Sequence, residues 1–223
     1  MSRTIAYPNK INIGCGHDHR PGFLNVDSGD WHHPDLLADV TAMPMLPSGH
    51  FIEAVAQDVL EHIGRTQQVL ALQEWSRILC GGGMLHVRVP SVVHMVRLLD
   101  RPDFFHDIDQ HHYWVQMLYG TQAYPGDFHL CGYTCLTLID VGRQAGLLLA
   151  ALSIKDDWLF EATFRKVAST DDLHDAEFVA HQYAAVLNRP PDEGGRSYWT
   201  AALEGKTVTR PQLIEHLKAA RTA

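Results

Sequence analysis

The sequence has few of the features that mark a membrane, secreted or disulfide-stabilised protein. No apolar run approaches the roughly 20 residues that a membrane-spanning helix needs, and residues 1–5 do not lead into the long apolar core of a signal peptide. Cysteine occurs only 4 times in 223 residues, which is too sparse for a disulfide framework. These absences predict a cytoplasmic protein with reduced thiols and no membrane span.

Positive charge is also scarce. The chain has 18 Lys and Arg against 26 Asp and Glu, for a formal net charge of −8, and no basic cluster offsets this excess. A chain with this charge does not attract nucleic acid or anionic lipid, so we predict no nucleic-acid partner. Hydrophobic residues make up 46% of the chain and charged residues 20%, as in a folded globular protein.

Histidine, by contrast, is frequent, with 15 residues. Close pairs occur at His17 and His19, His32 and His33, and His111 and His112. The spacing Cys131-x-x-x-Cys135 could also hold a metal, but no second pair has the spacing of a zinc site. We therefore predict no metal site and assign most histidines to surface or hydrogen-bonded positions.

Short apolar segments alternate with helical ones along most of the chain. Strands are predicted at 10–15, 23–27, 36–40, 51–56, 84–89, 149–155 and 160–167, with helices that start after Thr66 and after Ser91. The first of these helices is expected to stop at Gly81. The alternation predicts an α/β fold for residues 1–168, a Rossmann-like, doubly wound, mostly parallel seven-stranded sheet. Residues 101–132 lack any period and are predicted to be an irregular insertion.

The last part of the sequence has a different pattern. Residues 169–172 read as a linker, and the segments after them have helical spacing. Thr209 and Gln212 have the spacing of a capping box at the start of the last helix. We therefore predict a small helical domain at residues 169–223.

Polar residues follow the predicted strands at the point where each strand ends. Gly14 and Gly16 would let the backbone pass close to a ligand, and residues 17–20 lack the third glycine of a dinucleotide site. A ligand without a pyrophosphate fits this loop better. Asp27 can accept hydrogen bonds from both hydroxyls of a ribose, and Asp39 can accept one from an adenine amino group.

Four segments together carry a resemblance to a known family. They are residues 11–16 (Ile-Asn-Ile-Gly-Cys-Gly), 21–27 (Pro-Gly-Phe-Leu-Asn-Val-Asp), 39–40 (Asp-Val) and 58–62 (Asp-Val-Leu-Glu-His). Over residues 10–167 the chain resembles the class I S-adenosylmethionine-dependent methyltransferases, most closely the bacterial type 11-like group. The resemblance implies S-adenosylmethionine as cofactor.

The same resemblance implies a set of cofactor-binding residues. Gly14 and Gly16 would line the methionine part, Asp27 would hold the ribose, and Gln57 and Asp58 would lie beside the amino-acid tail. The full predicted set is Asn12, Gly14, Cys15, Gly16, Asp27, Ser28, Asp39, Val40, Gln57, Asp58 and His62. The connection from Gly16 to Phe23 is shorter than a parallel crossover normally is, so its helix is expected to be lost or reduced to a turn.

Residues 178–199 carry a second resemblance, to a small helical domain of unknown function. That domain occurs on bacterial secreted or surface-layer proteins and on some glycan-modifying enzymes. It implies a protein partner or self-association through residues 170–223. The alternative is that these helices only cap the sheet.

These observations together predict methyl transfer to a small-molecule or glycan acceptor, with a hydroxyl as the acceptor group. A hydroxyl needs a base, and His62 and His129 are the candidates, with Asp127 as a further catalytic residue. One alternative is a nicotinamide-dependent oxidoreductase. The other is a catalytically silent cofactor-binding scaffold, or a subunit recruited through the C-terminal helices.

Overall fold

The computed structural model describes residues 7–124 and 126–222. Its central element is a single mixed β-sheet. Its seven strands lie in the order β3-β2-β1-β4-β5-β7-β6. They are β1 (Lys10–Ile13), β2 (Leu24–Asp27), β3 (Leu36–Leu37), β4 (Phe51–Gln57), β5 (Leu79–Pro90), β6 (Leu148–Lys155) and β7 (Leu159–Arg165). Strand β7 runs antiparallel to β5 and β6, and the other pairs are parallel. The predicted seven-stranded, mostly parallel sheet is confirmed.

Helices connect and flank these strands. They are α1 (Gln68–Ile78), α2 (Val92–Leu99), α3 (Ile108–Tyr119), α4 (Cys135–Gln144), α5 (Asp175–Leu187), α6 (Glu193–Glu204) and α7 (Arg210–Thr222). Short 3-10 helices occur at Asp30–His32, Leu60–His62 and Thr170–Asp172. Within the described ranges, no helix combines the length and the apolar character needed to cross a membrane. Residues 1–5, where we predicted no signal peptide, lie outside the described residues.

The connection between β1 and β2 is a loop. All of residues 14–23 are described, and they contain turns but no helix. Buried Asn12 donates from Nδ2 to the Asp18 carbonyl (2.6 Å) and to Asn25 Oδ1 (3.2 Å). Asn25 in turn donates to Asp35 Oδ2 from both its backbone and its side-chain nitrogen, each at 2.8 Å. Side-chain hydrogen bonds therefore fix a crossover that a helix normally fixes.

Two predicted elements were wrong in detail. Helix α1 does not extend to Gly81; it ends at Ile78, and β5 begins at Leu79 and continues through the glycines. The β4–β5 register shifts between Phe51 and Glu53, and Gly82 has φ +77°, which a glycine accommodates at no steric cost. The glycines thus form an irregularity in a strand.

Residues 101–132 are not entirely irregular, because they contain α3. The Asp107 carboxylate caps this helix by accepting from the backbone N–H groups of Asp109 (3.0 Å) and Gln110 (3.1 Å). Trp114 is its only buried residue, so the helix lacks the apolar stripe that would have revealed it.

The larger hydrophobic core lies between the sheet and helices α1 and α4. Trp75 from α1 and Phe164 from β7 are among its fully buried residues. A Cβ at Gly142 of α4 would lie 2.5 Å from a ring atom of Phe164, so helix and strand are in close contact. On the opposite face of the sheet the strands present polar side chains, such as His86, whose Nδ1 lies 3.0 Å from Thr163 Oγ1.

The C-terminal helices pack on the edge of the sheet at β6. They enclose a second core formed by Leu173, Phe178, Val179, Tyr183, Leu203, Leu213 and Leu217. Leu148 of β6 packs against this core, and Ala184 of α5 belongs to the larger one. His181 Nδ1 donates to the Leu149 carbonyl at 3.2 Å. The helices therefore share buried surface with the sheet, and a domain boundary at 168/169 stays a prediction.

Candidate functional site

The glycine loop after β1 has the geometry that close approach of a ligand requires. Gly14 and Gly16 have φ values of +64° and +50°. A Cβ on Gly14 would lie 2.5 Å from Val59 Cγ2, so this glycine is required by the fold itself. A Cβ on Gly16 would meet no atom within 4 Å, so Gly16 borders open space.

Cys15, between the two glycines, is buried and ties the loop to β2. Its backbone N–H donates to the Val26 carbonyl at 2.9 Å. Burial, followed by the charge of Asp27, raises the pKa of its thiol to about 11. The thiol therefore stays protonated near neutral pH and has no role as a nucleophile.

Asp27, the last residue of β2, holds the loop in place. Its Oδ2 accepts from the Gly16 N–H and its Oδ1 accepts from the Gly29 N–H, each at 2.8 Å. A carboxylate oxygen has two acceptor positions, so each oxygen retains one for a ligand. Ser28 follows it and is exposed. The carboxylate thus faces the same open loop as Gly16.

The segment after β3 turns sharply. Strand β3 ends at Leu37, earlier than the predicted end at residue 40. Asp39 Oδ1 accepts from the N–H and the hydroxyl of Thr41, at 2.8 and 2.7 Å, and this local turn ends the pairing. The Val40 carbonyl accepts from Trp75 Nε1 at 2.8 Å, which fixes the segment to α1.

Two arginines that the sequence analysis did not single out lie at the end of β4. Arg20 Nη2 donates to Gln57 Oε1 at 2.8 Å, and Arg88 forms a bidentate ion pair with Asp58. Asp58 adopts a left-handed backbone conformation, with φ +56°. No local pattern indicates these pairs, because the partners are 37 and 30 residues apart in the sequence.

The 3-10 helix after β4 brings two predicted residues together with a third. His62 and His129 have ring centroids 4.9 Å apart. Glu61 lies beside them, and one ligand atom from each of the three side chains lies within 4.8 Å of the others. Glu61 is 1% exposed, and its Oε2 has no hydrogen-bond partner. We call these three residues the Glu61 cluster.

Burial sets the protonation of this cluster. It raises the pKa of the Glu61 carboxyl to about 8, and the charge of Asp58 adds to the effect. Burial lowers the pKa of His129, and the neighbouring His62 lowers it further. A neutral glutamic acid beside a neutral imidazole is the expected state near neutral pH.

Asp127 has a separate position. It is buried, and its Oδ2 accepts from the Thr121 hydroxyl and, at 3.4 Å, from the Ala123 N–H. These bonds close the loop that leads to His129. The structure therefore groups His62 and His129 and leaves Asp127 outside their cluster.

Comparison with solved structures shows the fold. A methyltransferase of Methanosarcina mazei is similar over 72% of this chain and 92% of its own, with 12% identity and a TM-score of 0.54. One from Mesorhizobium loti covers 70% of this chain and 90% of its own, with 14% identity and a TM-score of 0.48. A didemethyltoxoflavin N1-methyltransferase of Burkholderia thailandensis was solved with S-adenosylhomocysteine. It is similar over 71% of this chain and 70% of its own, with 12% identity and a TM-score of 0.48.

The chain thus has the Rossmann-like fold of S-adenosylmethionine-dependent methyltransferases, as predicted. Residues 157–220 match the family Domain of unknown function (DUF4214). This match begins just before β7, inside the sheet, and not at the predicted linker. A search of curated proteins finds no match.

Proposed function

We propose that this protein transfers a methyl group from S-adenosylmethionine to a hydroxyl of a small-molecule or glycan acceptor. The proposal rests on one observation: the open Gly14–Gly16 loop is hydrogen-bonded to a strand-end carboxylate, on the fold of methyltransferases. The residues fit the cofactor, because Gly16 leaves space beside the backbone and Asp27 retains acceptor positions.

Four residues would hold the remaining parts of the cofactor. Asp39 and Val40, in the turn after β3, would flank the adenine. Arg20 and Arg88 supply positive charge at the end of β4, where a carboxylate of the amino-acid tail would be neutralised. Binding there would compete with the present partners of the arginines, which are Asp18 and Gln57 for Arg20 and Asp58 for Arg88. When bound, S-adenosylmethionine supplies an activated methyl group on a sulfonium.

The acceptor side is assigned to His62 and His129. A hydroxyl that becomes an ether must lose its proton, and a neutral imidazole can accept it. Burial keeps His129 neutral near physiological pH by lowering its pKa. Asp127 supports this side indirectly, because it closes the loop before His129. The glycan acceptor, the cytoplasmic location and a partner for residues 170–223 are parts of the same proposal.

Binding of S-adenosylhomocysteine tests the cofactor assignment. We expect one site on the wild type, measured by titration calorimetry, and binding weakened roughly 10- to 100-fold in Asp27→Asn. The reason is that the amide keeps only one acceptor oxygen, so that about one charge-assisted hydrogen bond worth about 1.5–3 kcal/mol is lost. Asp30→Asn is the matched control, because Asp30 is a nearby exposed carboxylate on the 3-10 helix after β2.

Thermal unfolding of each variant would confirm that all are folded. A folded wild type that binds no S-adenosylhomocysteine would contradict the proposal and favour the alternative of a subunit recruited through the C-terminal helices. Equal weakening in Asp30→Asn would also contradict it, since the effect would then not come from the site.

A further inference from the structure

We propose that Glu61, His62 and His129 bind one divalent transition-metal ion of the Zn²⁺ type. Two imidazoles and one carboxylate form a known ligand set for such ions, and it leaves coordination positions open. Sequence spacing did not reveal the set, because His129 lies 67 residues beyond His62 (129 − 62). The prediction of no metal site was based on the lack of a second pair with zinc-site spacing beside Cys131 and Cys135, and on the assignment of most histidines to surface or hydrogen-bonded positions.

The distances are short enough for a shared ion. One ligand atom from each side chain lies within 4.8 Å of the others. Ligand atoms around a tetrahedral Zn²⁺ lie about 3–3.5 Å apart, given metal–ligand bonds of about 2.0–2.2 Å. Small side-chain rotations would therefore bring the three atoms onto one ion.

Glu61 is the second observation that points to a cation. A buried carboxyl normally has a hydrogen-bond or charge partner, because burial without one is costly. Glu61 Oε2 has no partner, although the residue is almost completely buried. A cation at the cluster would supply the missing partner.

The backbone holds the cluster together without an ion. The Glu61 carbonyl accepts from the N–H groups of Leu130 (2.8 Å) and Cys131 (3.2 Å). These bonds attach the segment that carries His129 to the 3-10 helix that carries Glu61 and His62. The three ligands are therefore brought together by the fold.

Both imidazole rings of the cluster are fixed by hydrogen bonds to the backbone. His62 Nδ1 lies 3.1 Å from the Phe128 carbonyl, which can only accept, so Nδ1 carries the proton and the Nε2 lone pair is free. The His129 ring hydrogen-bonds to the backbone of Met117. Metal-binding histidines are commonly fixed by a carbonyl in this way.

The ligand set also selects the class of ion. Mg²⁺ and Ca²⁺ prefer oxygen ligands, whereas two imidazoles favour Zn²⁺ and neighbouring transition metals. Resting on the proposed function, we assign the open position to the acceptor hydroxyl, whose pKa the ion would lower so that its proton passes to solvent. In the metal-free protein His62 and His129 remain the candidate bases of the proposed function. With the ion bound they are its ligands, and the ion takes over activation of the hydroxyl.

Calorimetric titration of the chelator-treated full chain with Zn²⁺, without cofactor or acceptor, tests the site. We expect one ion per chain. Glu61→Gln and His129→Gln should each weaken binding by more than the roughly 10- to 100-fold that is lost when a residue hydrogen-bonded to a metal ligand is removed. His106→Gln is the matched control, because it removes an exposed histidine outside the cluster. Titration with Co²⁺, followed by its visible absorption, should give the same stoichiometry and the same order of variants.

Several weak sites insensitive to Glu61→Gln and His129→Gln would overturn the proposal, as would equal loss in His106→Gln. If the melting curve shows that Glu61→Gln is unfolded, the metal binding of His129→Gln alone tests the proposal. Binding of S-adenosylhomocysteine is measured separately without metal. A chain that binds Zn²⁺ but not S-adenosylhomocysteine would therefore support the metal site while contradicting the proposed methyl transfer.

Discussion

A chain that ends at residue 168 should lose most of its stability, although it contains all seven strands of the sheet. Removal of the C-terminal helices uncovers Leu148 of β6 and Val167, which pack against the second core, and takes Ala184 out of the larger core. Exposure of two apolar side chains of this size costs about 3–6 kcal/mol. That is comparable with the roughly 5–15 kcal/mol that stabilises a whole domain.

Thermal unfolding followed by circular dichroism would measure this effect. The matched control ends at residue 206, because it removes α7 and keeps α5 on the sheet. We expect this control to retain a cooperative transition at a lower temperature, since it loses only Leu213 and Leu217 from the second core. If the chain of residues 1–168 melts at the temperature of the full chain, the helices are instead a tethered module, and the predicted boundary at 168/169 is a true domain boundary.

Gly14→Ala should destabilise the protein and abolish cofactor binding. The new Cβ would lie 2.5 Å from Val59 Cγ2 at a backbone φ of +64°. Left-handed strain costs about 1–3 kcal/mol, and overpacking adds about 1–3 kcal/mol. The sum corresponds to a fall in melting temperature on the order of 10 °C for a chain of this size.

Two variants separate the parts of this effect. Gly16→Ala has the backbone strain without the clash, because no atom lies within 4 Å of its Cβ. Gly16→Ala should therefore destabilise the protein less than Gly14→Ala does. It should still weaken cofactor binding, because its methyl group would fill space proposed for the cofactor. Adding Val59→Ala to Gly14→Ala should recover part of the lost stability by removing the clash. Equal melting temperatures for Gly14→Ala and Gly16→Ala would show that contact with Val59 is not limiting.

The sheet could be predicted because its strands carry strong local signals. Strand β5 has buried Leu85, Val87 and Val89 at alternate positions. Gly14 directly follows β1, and Asp27 is the last residue of β2. The order of the strands, and the insertion of β7 between β5 and β6, depends on contacts distant in sequence. Helix α3 lacked a signal, since Trp114 is its only buried residue.

Site residues that lie at the ends of strands could be predicted from the sequence. Site residues that depend on contacts distant in sequence could not. Asp27 could be identified from its place at the end of a predicted strand. Glu61 was read only as part of a motif, since its burial beside His129 follows from how residues 128–131 fold back on the 3-10 helix. The pairing of Arg20 with Gln57 likewise has no local signature.

The helix-free connection at residues 14–23 has a consequence for the rate of turnover. A ligand that enters or leaves past this loop has to move a turn held by side-chain hydrogen bonds of Asn12 and Asn25, and no helix. Loop motions of this kind take nanoseconds to microseconds, whereas many enzymes are limited by slower opening steps that release product. Under the proposed methyl transfer, we therefore expect the demethylated cofactor to have a short residence time, so that events at the acceptor limit the rate.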